Sequence, residues 1–434
     1  MVDYQVVKDL LENEQYDIAL PIVIGMIEDN PDDAVALNFR GYFHLMMEDE
    51  GTAYQFLQRS IDINPNPGNM VNMGKCLNEM GRHEEAIRYF FKSAEMNPNQ
   101  ASAYANASAT LVQMSKWEDA RKAAELALDC DPDDEHAPLN LAHAQLAAGE
   151  GVDGFGNFER ALGGMFRREW EYNDKGRWNG ESGTVVVYGE QGLGDEIVYA
   201  QALPDAAKRA SVIIDCDQKL EGLFRRSFPF AEVHGTRRDE HPAWLAGKQV
   251  DYRCAIGSLF HLFRKTDSDF VTEPYLVADR ERRMMWRSLF DSYGKPVIGI
   301  AMKSGSRKNN QAGREIDVAE FAPLMNTLDA VYVSLEYKGD DGGLKAFPWA
   351  ARSADYDDTA AMIAELDAVV GICTTALHCA DALGVPTWTL VPEKHNWKFA
   401  GSFPQMENQH LVMQRGTWTE TIGSIAQEVK NAVA

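Results

Sequence analysis

A proline preceded by Asn or Asp recurs through the first third of this 434-residue chain, at Asn30-Pro31, Asn64-Pro65, Asn97-Pro98 and Asp131-Pro132. The intervals are 34, 33 and 34 residues. Ala19, Ala53, Ala86 and Ala120 each stand twelve residues before one of these prolines, and Gly41 and Gly74 stand twenty-four before theirs. A period of this length means stacked supersecondary units, because one such unit cannot bury its own apolar face. Each unit reads as two amphipathic helices, the second stopped by the proline, which lacks an N–H and clashes with the preceding turn. The small residues let the paired helices approach closely.

The pattern resembles the tetratricopeptide repeat. Its best unit runs from Met70 to Pro98, with Gly74, Leu77, Gly81, Ala86 and Phe90 in place. The first unit matches least well. A fifth, from His136 to about Leu162, keeps Leu141, Ala142, Gly149, Phe158 and Ala161 but has no closing proline. Such an array offers a groove for a protein or peptide partner. The plainer reading is a spacer or a dimerisation platform, and a homo-oligomer is compatible with either. Asn38, Asn72, Asn106 and Asn140 recur every 34 residues on one helix face. An asparagine ladder of this kind can bond an extended peptide backbone without reading its side chains; a solvated polar face would have the same pattern.

Beyond Gly151 the period fades into a segment rich in Gly, Arg and aromatic residues, including Phe155, Phe158, Trp170, Tyr172 and Trp178. This is expected to be a packed connector. Short β-branched runs then alternate with helical stretches. The strands are Thr184–Tyr188, Ser211–Asp215, Pro296–Ala301, Ala330–Leu335, Ala368–Cys373 and Pro386–Leu390, and Glu196 to Ala210 reads as one helix. Alternation of this kind predicts parallel sheets with helices on both faces, and ligands at the carboxyl ends of the strands. The expected division is an array over 1–165, a connector over 166–183, and two Rossmann-like domains over 184–290 and 291–434.

Composition narrows the partners. Lys plus Arg total 42 against 66 Asp plus Glu, a net charge of −24, so most of the surface repels nucleic acid and anionic membrane. The chain has no uninterrupted apolar run of membrane-spanning length, and Met1-Val2-Asp3-Tyr4 lacks a signal pattern. Its six cysteines form no CxxC pair and read as buried thiols. A cytoplasmic protein is expected. No HExxH or paired Cys/His spacing marks a metal site, and neither Asp357-Asp358 nor Asp215-Cys216-Asp217 has a magnesium pattern, so neither metal nor cofactor is expected.

Three segments carry chemistry. The turn Gly189-Glu-Gln-Gly-Leu-Gly-Asp195 joins a strand to a helix. Gly192 and Gly194 there would take positive φ and let the backbone approach a ligand. Asp195 is either a plain helix cap or a general base. The turn is not GxGxxG, which weakens a dehydrogenase reading. Lys303-Ser304-Gly305-Ser306-Arg307-Lys308, with Arg314 nearby, is a cationic loop after a strand. It would neutralise a diphosphate leaving group, or it is solvated surface. Cys373-Thr374-Thr375-Ala376-Leu377-His378 places two hydroxyls at a helix start, where phosphate binds free N–H groups, or where the threonines merely cap the helix and His378 is a core residue.

In this order, these segments resemble bacterial glycosyltransferases with an N-terminal tetratricopeptide array and a catalytic region like family 9, the heptosyltransferases. Asp358-Thr-Ala-Ala361, Arg177-Trp-Asn-Gly180, Cys373 through Pro386 and Asn396-Trp-Lys-Phe399 carry the resemblance further. It implies a GT-B fold, an all-α solenoid being followed by two Rossmann-like domains facing across a cleft. The implied reaction is metal-independent and inverting: sugar passes from a nucleotide sugar to an acceptor, expected to be a protein held by the repeat groove. Asp195 matches the proposed base and Lys303 the cation near the donor phosphates. Thr374, Thr375 and His378 match the diphosphate-holding helix start, with Ser304, Gly305 and Arg314 beside it. The last helix, about Thr419 to Val433, is implied to cross back to the first domain. Asp195→Asn is expected to cut turnover with little change in stability. Many relatives have Asp where this chain has Cys373, and the missing carboxylate supports the alternative, a non-catalytic adaptor with a degenerate GT-B module. A nucleotide-sugar epimerase would not need the repeats.

Overall fold

The protein is described here from a computed structural model. It covers residues 4–172, 176–237, 239, 241–303, 315–337, 341–351, 355–400 and 403–434. The chain divides into two compact units, Met1–Gln145 and Leu146–Ala434.

The first unit is helical. Its pairs are α1 (Tyr4–Glu12) with α2 (Tyr16–Asp29), α3 (Ala34–Met46) with α4 (Glu50–Ile63), α5 (Pro67–Glu79) with α6 (His83–Met96), and α7 (Ala101–Gln113) with α8 (Trp117–Cys130); α9 (Ala137–Ala147) follows. Asn30, Asn64, Asn97 and Asp131 are the C-caps of α2, α4, α6 and α8, all in extended backbone. The following proline disfavours the helical conformation for them, so the period in the sequence is the period of helix ends. Ala19, Ala53, Ala86 and Ala120 are fully buried. A Cβ on Gly74 would stand 2.7 Å from Phe90 Cδ1, and one on Gly41 2.7 Å from Leu57 Cδ2, so glycine is needed there for close helix approach. Buried hydroxyls also repeat: Ser60 donates to the Ala34 carbonyl at 2.6 Å and Ser93 to that of Pro67 at 2.9 Å.

The second unit opens with α10 (Gly151–Arg160), the expected second helix of the fifth repeat. Its Gly154 lies against Leu146 of α9, and its aromatic side packs on a helix of the α/β region: Phe155 lies edge-on to Phe260, and Phe158 lies beside Tyr199. The two compact units divide after Gln145, and Phe155 and Phe158 of α10 are buried on the α/β side of that division.

Two parallel sheets follow. The first has β1 (Thr184–Tyr188), β2 (Ser211–Asp215), β3 (Glu232–His234) and β4 (Tyr252–Ala255) in the order β3-β2-β1-β4, with α11 (Leu193–Ala200), α12 (Leu203–Ala207), α13 (Glu221–Ser227) and α14 (Ser258–Phe263). The single helix expected over 196–210 is thus two, broken at Gln201–Ala202, with Pro204 in the first turn of the second. The other sheet has β5 (Val297–Ala301), β6 (Val331–Ser334), β7 (Lys345–Ala346), β8 (Ala368–Ile372), β9 (Thr387–Val391) and β10 (Gln409–Met413), in the order β10-β9-β8-β5-β6-β7. Its helices are α15 (Arg280–Asp291), α16 (Ala322–Thr327), α17 (Pro348–Ala351), α18 (Tyr356–Ile363), α19 (Thr375–Leu383) and α20 (Trp418–Ala432). Central strands β1, β5, β8 and β9 are almost wholly buried, as expected when helices cover both faces of a parallel sheet.

One expectation is corrected. α20 does not return to the first sheet. Trp418, Ile422, Ile425 and Val429 share a core with Ile298, Ile300, Phe321 and Leu324, so its apolar stripe is buried on its own sheet. α15 lies against the second sheet's helices: it packs on α18, and Arg283 and Arg287 pair with Glu365 at 2.5 and 2.7 Å.

Candidate functional site

In each sheet the strand order reverses beside the first strand, β1 between β2 and β4, and β5 between β6 and β8. Loops diverge there and leave a crevice at the strands' carboxyl ends. The glycine turn follows β1. Lys303 follows β5, and Cys373-Thr374 follows the adjacent β8. The glycine turn, Lys303 and Cys373-Thr374 thus stand at reversal points.

The turn is shaped by two buried carboxylates that flank it. Glu190 pairs with Arg167 at 2.8 Å, both side chains fully buried. Arg167 also donates to the Phe158 carbonyl. Glu196, fully buried, pairs with Arg237 at 2.6 Å and accepts from Asp217 N at 3.0 Å. Burial pushes the Glu196 carboxyl up to about 8, against the pull of Arg237. A Cβ on Gly189 would stand 2.7 Å from Glu196 Oε2, so this glycine makes room for the carboxylate. Gly192 is the N-cap of α11 at φ −79°, and neither it nor Gly194 has positive φ, contrary to expectation. Asp195 is not the cap but lies in the first turn of α11, where helix N–H groups favour an anion.

What Gly194 admits is the other sheet's helix. A Cβ there would meet Thr375 Oγ1 at 3.3 Å and His378 Cδ2 at 3.2 Å. α11 and α19 pack together, so the helix starts bearing Asp195 and Thr374-Thr375-His378 meet. Thr374 is the N-cap of α19 but makes no side-chain capping bond, and its buried hydroxyl oxygen has no hydrogen-bond partner among the described residues. His378 Nε2 is 3.5 Å from Cys373 Sγ, and its ring stacks on Phe399.

One partner was not foreseen. Lys398, from the short turn Trp397–Phe399, places Nζ 2.6 Å from Asp195 Oδ1. Its side chain is 8% exposed and that of Asp195 37%. Burial would raise the Asp195 carboxyl, but Lys398, and then His378, outweigh it and hold the group below the usual aspartate value. Lys398 is raised: Asp195 and Tyr199 overcome the burial that disfavours its charge. Lys398 lies in the Asn396-Trp-Lys-Phe399 segment that carried part of the resemblance, but nothing local to that segment points to a partner 203 positions away. Further ties join the sheets. Arg226 of α13 bonds Asp357 of α18, and Lys219 Nζ meets the Tyr337 hydroxyl at 2.9 Å.

Lys303 is paired with Glu315 at 2.8 Å, and its backbone N–H donates to Glu336 at 3.0 Å. Ser304, Gly305 and Arg314 lie outside the described residues. The asparagines of the array do not share one environment. Asn72 Nδ2 donates to Asn38 Oδ1 at 3.0 Å, whereas Asn106 turns back to its own helix, bonding the Ser102 carbonyl at 2.6 Å. Asn140 is buried and bonds the Ala105 carbonyl at 3.2 Å. Among the described residues no group of three or more His, Cys, Asp and Glu side chains could hold a metal ion, and no helix is long and apolar enough to cross a membrane.

Comparison with known proteins agrees for the first unit. Residues 68–100 match the tetratricopeptide-repeat family model. Over 442 residues the chain is 26% identical to Protein FlbA of Caulobacter vibrioides, covering 93% of this chain and 74% of that protein. Among solved structures, TTC0263, a thermophilic TPR protein in Thermus thermophilus, is 17% identical over 37% of this chain and 89% of its own, with a TM-score of 0.34. MamA is 15% identical over 37% and 94%, with a TM-score of 0.32. By the family match and the helix pairing, the N-terminal helices are tetratricopeptide repeats, a scaffold suited to protein interaction, and an α/β unit of two parallel sheets follows them.

Proposed function

We propose that the chain is a GT-B-type glycosyltransferase that moves a sugar from a nucleotide sugar to a protein acceptor held by the repeats. One observation carries this reading. An ionised aspartate at the reversal point of one sheet meets, at the reversal point of the other, a helix start whose buried hydroxyl has no partner among the described residues. In the proposed step the acceptor oxygen bonds to the sugar's anomeric carbon from the face opposite the leaving group. The bond from that carbon to the diphosphate oxygen breaks, and its electron pair leaves with the diphosphate. Asp195 takes the acceptor's proton. The Thr374–Thr375 helix start and the Lys303 ammonium stabilise the charge that gathers on the diphosphate; His378, Ser304, Gly305 and Arg314 are assigned to the same anion. The chemistry calls for no metal.

The test is calorimetric titration with UDP, GDP, ADP, TDP and CDP. Selective binding of one, weakened about tenfold or more by Lys303→Ala or Thr374→Val, supports the donor site, as roughly 1.4 kcal/mol per tenfold is the scale of one lost charge-assisted bond. Intact-mass spectrometry of co-expressed protein then seeks the acceptor. Cys373 favours a second reading, since its thiol touches His378 where relatives of this type carry a carboxylate. Absence of binding to all five nucleotides would leave an adaptor acting through its repeats.

A further inference from the structure

Lys398 is a nearly buried ammonium that the proposed chemistry does not use. It stands on the second sheet's side, and its Nζ reaches Asp195 Oδ1, on the turn after β1, at 2.6 Å. The groups that face the pair come from every element packed around it. Tyr199 of α11 has its ring 5.2 Å from Nζ, and Trp397 of the same turn as Lys398 has its ring 5.7 Å away. His378 of α19 acts on Asp195, and Cys373, at the end of β8, acts on Lys398. Aromatic faces on two sides and little exposure leave the ammonium few positions, and one oxygen of Asp195 is thereby fixed. The other oxygen, Oδ2, is turned to the glycine side, where a Cβ on Gly192 would lie 3.4 Å from it. Asp195 keeps 37% exposure, so it remains open to a reactant while one oxygen is held.

We propose that Lys398 is the positioning residue of Asp195: supplied by the second sheet, its ammonium holds one carboxylate oxygen at the start of the first sheet's α11 and leaves the other open to a reactant. The proposal rests on the reading of Asp195 as proton acceptor. It adds that this acceptor is complete only when the two sheets are apposed. Separation removes the ammonium, and the carboxylate then loses both its fixed orientation and its bias towards the charged form. An opposite charge at this distance lowers a carboxyl pKa by roughly one to three units.

The experiment is a carboxyl-carbon NMR titration of protein labelled at aspartate, with the Asp195 signal assigned by its loss in Asp195→Asn. It needs neither substrate nor turnover. In the wild type Asp195 is expected to titrate below the ordinary aspartate range, and in Lys398→Met its midpoint is expected to rise by about one unit or more. A wild-type midpoint at or above the ordinary range overturns the proposal, and this holds even if Lys398→Met does not fold. An unmoved midpoint in a folded Lys398→Met overturns it as well. Where a transfer assay exists, the acidic limb of the kcat profile should move to higher pH in Lys398→Met with KM for the donor little changed, and Lys398→Arg should restore it. A limb that stays in place, with only thermal stability lost, would reduce Lys398 to a structural tie and overturn the positioning role. If the wild type transfers nothing, the glycosyltransferase reading fails, while the titration still decides the state of Asp195.

Discussion

At the residue scale, the pairing of Asp195 with Lys398 changes what substitution should do. Little loss of stability from Asp195→Asn is what an isolated cap or base would give. With Lys398 almost buried against it, the neutral amide leaves an ammonium without a counter-charge. Asp195→Asn is therefore expected to lower turnover by roughly 10²–10⁴, the usual worth of a general base. It should also cost about 1–2 kcal/mol of stability, part of which Asp195→Asn with Lys398→Met recovers in urea unfolding. Asp381 in α19 offers a pH test. Burial raises its carboxyl to about 7, although Thr387 and Gln409 both donate to it. A raised folded-state value means that the native protein holds a proton the unfolded chain has released. Its contribution is therefore whole below about pH 4 and lost as pH climbs to 7. Between about pH 5 and 8 the wild type should lose on the order of 2 kcal/mol that Asp381→Asn does not, as measured by urea midpoints at the two pH values. Asp195 and Asp381 were equally visible as letters. Their environments were not, since each depends on a partner distant in the chain, Lys398 for Asp195 and Gln409 for Asp381.

At the element scale, helix ends and small-residue contacts of the repeats were legible because their causes are local. A proline sets the conformation of the residue before it, and a 34-residue interval returns the same contact. Gly74→Val is expected to destabilise the array by about 1–3 kcal/mol through overpacking against Phe90, seen as a lower melting temperature. The asparagine ladder shows the limit of that logic. Equal spacing puts four side chains on one face, but Asn106 satisfies its amide on its own helix and Asn140 on a neighbouring carbonyl. The glycine turn shows it differently. Gly192 and Gly194 suggested unusual φ, yet what glycine supplies at 194 is room for α19. The turn's stiffness comes from Glu190 and Glu196 with Arg167 and Arg237, pairs that no local pattern announces. Arg167→Met should cost about 3–5 kcal/mol by leaving Glu190 buried without a counter-charge, and the double change with Glu190→Gln should recover much of it.

For the whole molecule, the two compact units make a direct prediction. A fragment of residues 1–149 should melt cooperatively and stay monodisperse. A fragment of 1–165 carries Phe155 and Phe158 without the Phe260 and Tyr199 side chains that cover them, so it should aggregate at lower temperature. Light scattering during a thermal ramp separates the two. Much local order was readable: strands β1, β2, β5, β6, β8 and β9, the repeat period, and the α19 start at Thr374-Thr375 follow from propensity, periodicity and proline geometry, whereas β3, β4, β7 and β10, short or half-exposed, carry no such run and were not placed. Strand pairing order, the burial of α20 on its own sheet, the passage of α10 to the α/β unit and the meeting of Asp195 with Lys398 do not follow from these local causes. They depend on which apolar face finds cover and which charge finds a partner among residues far apart in the chain, and that choice is made by packing in three dimensions, where neighbours in sequence have no say.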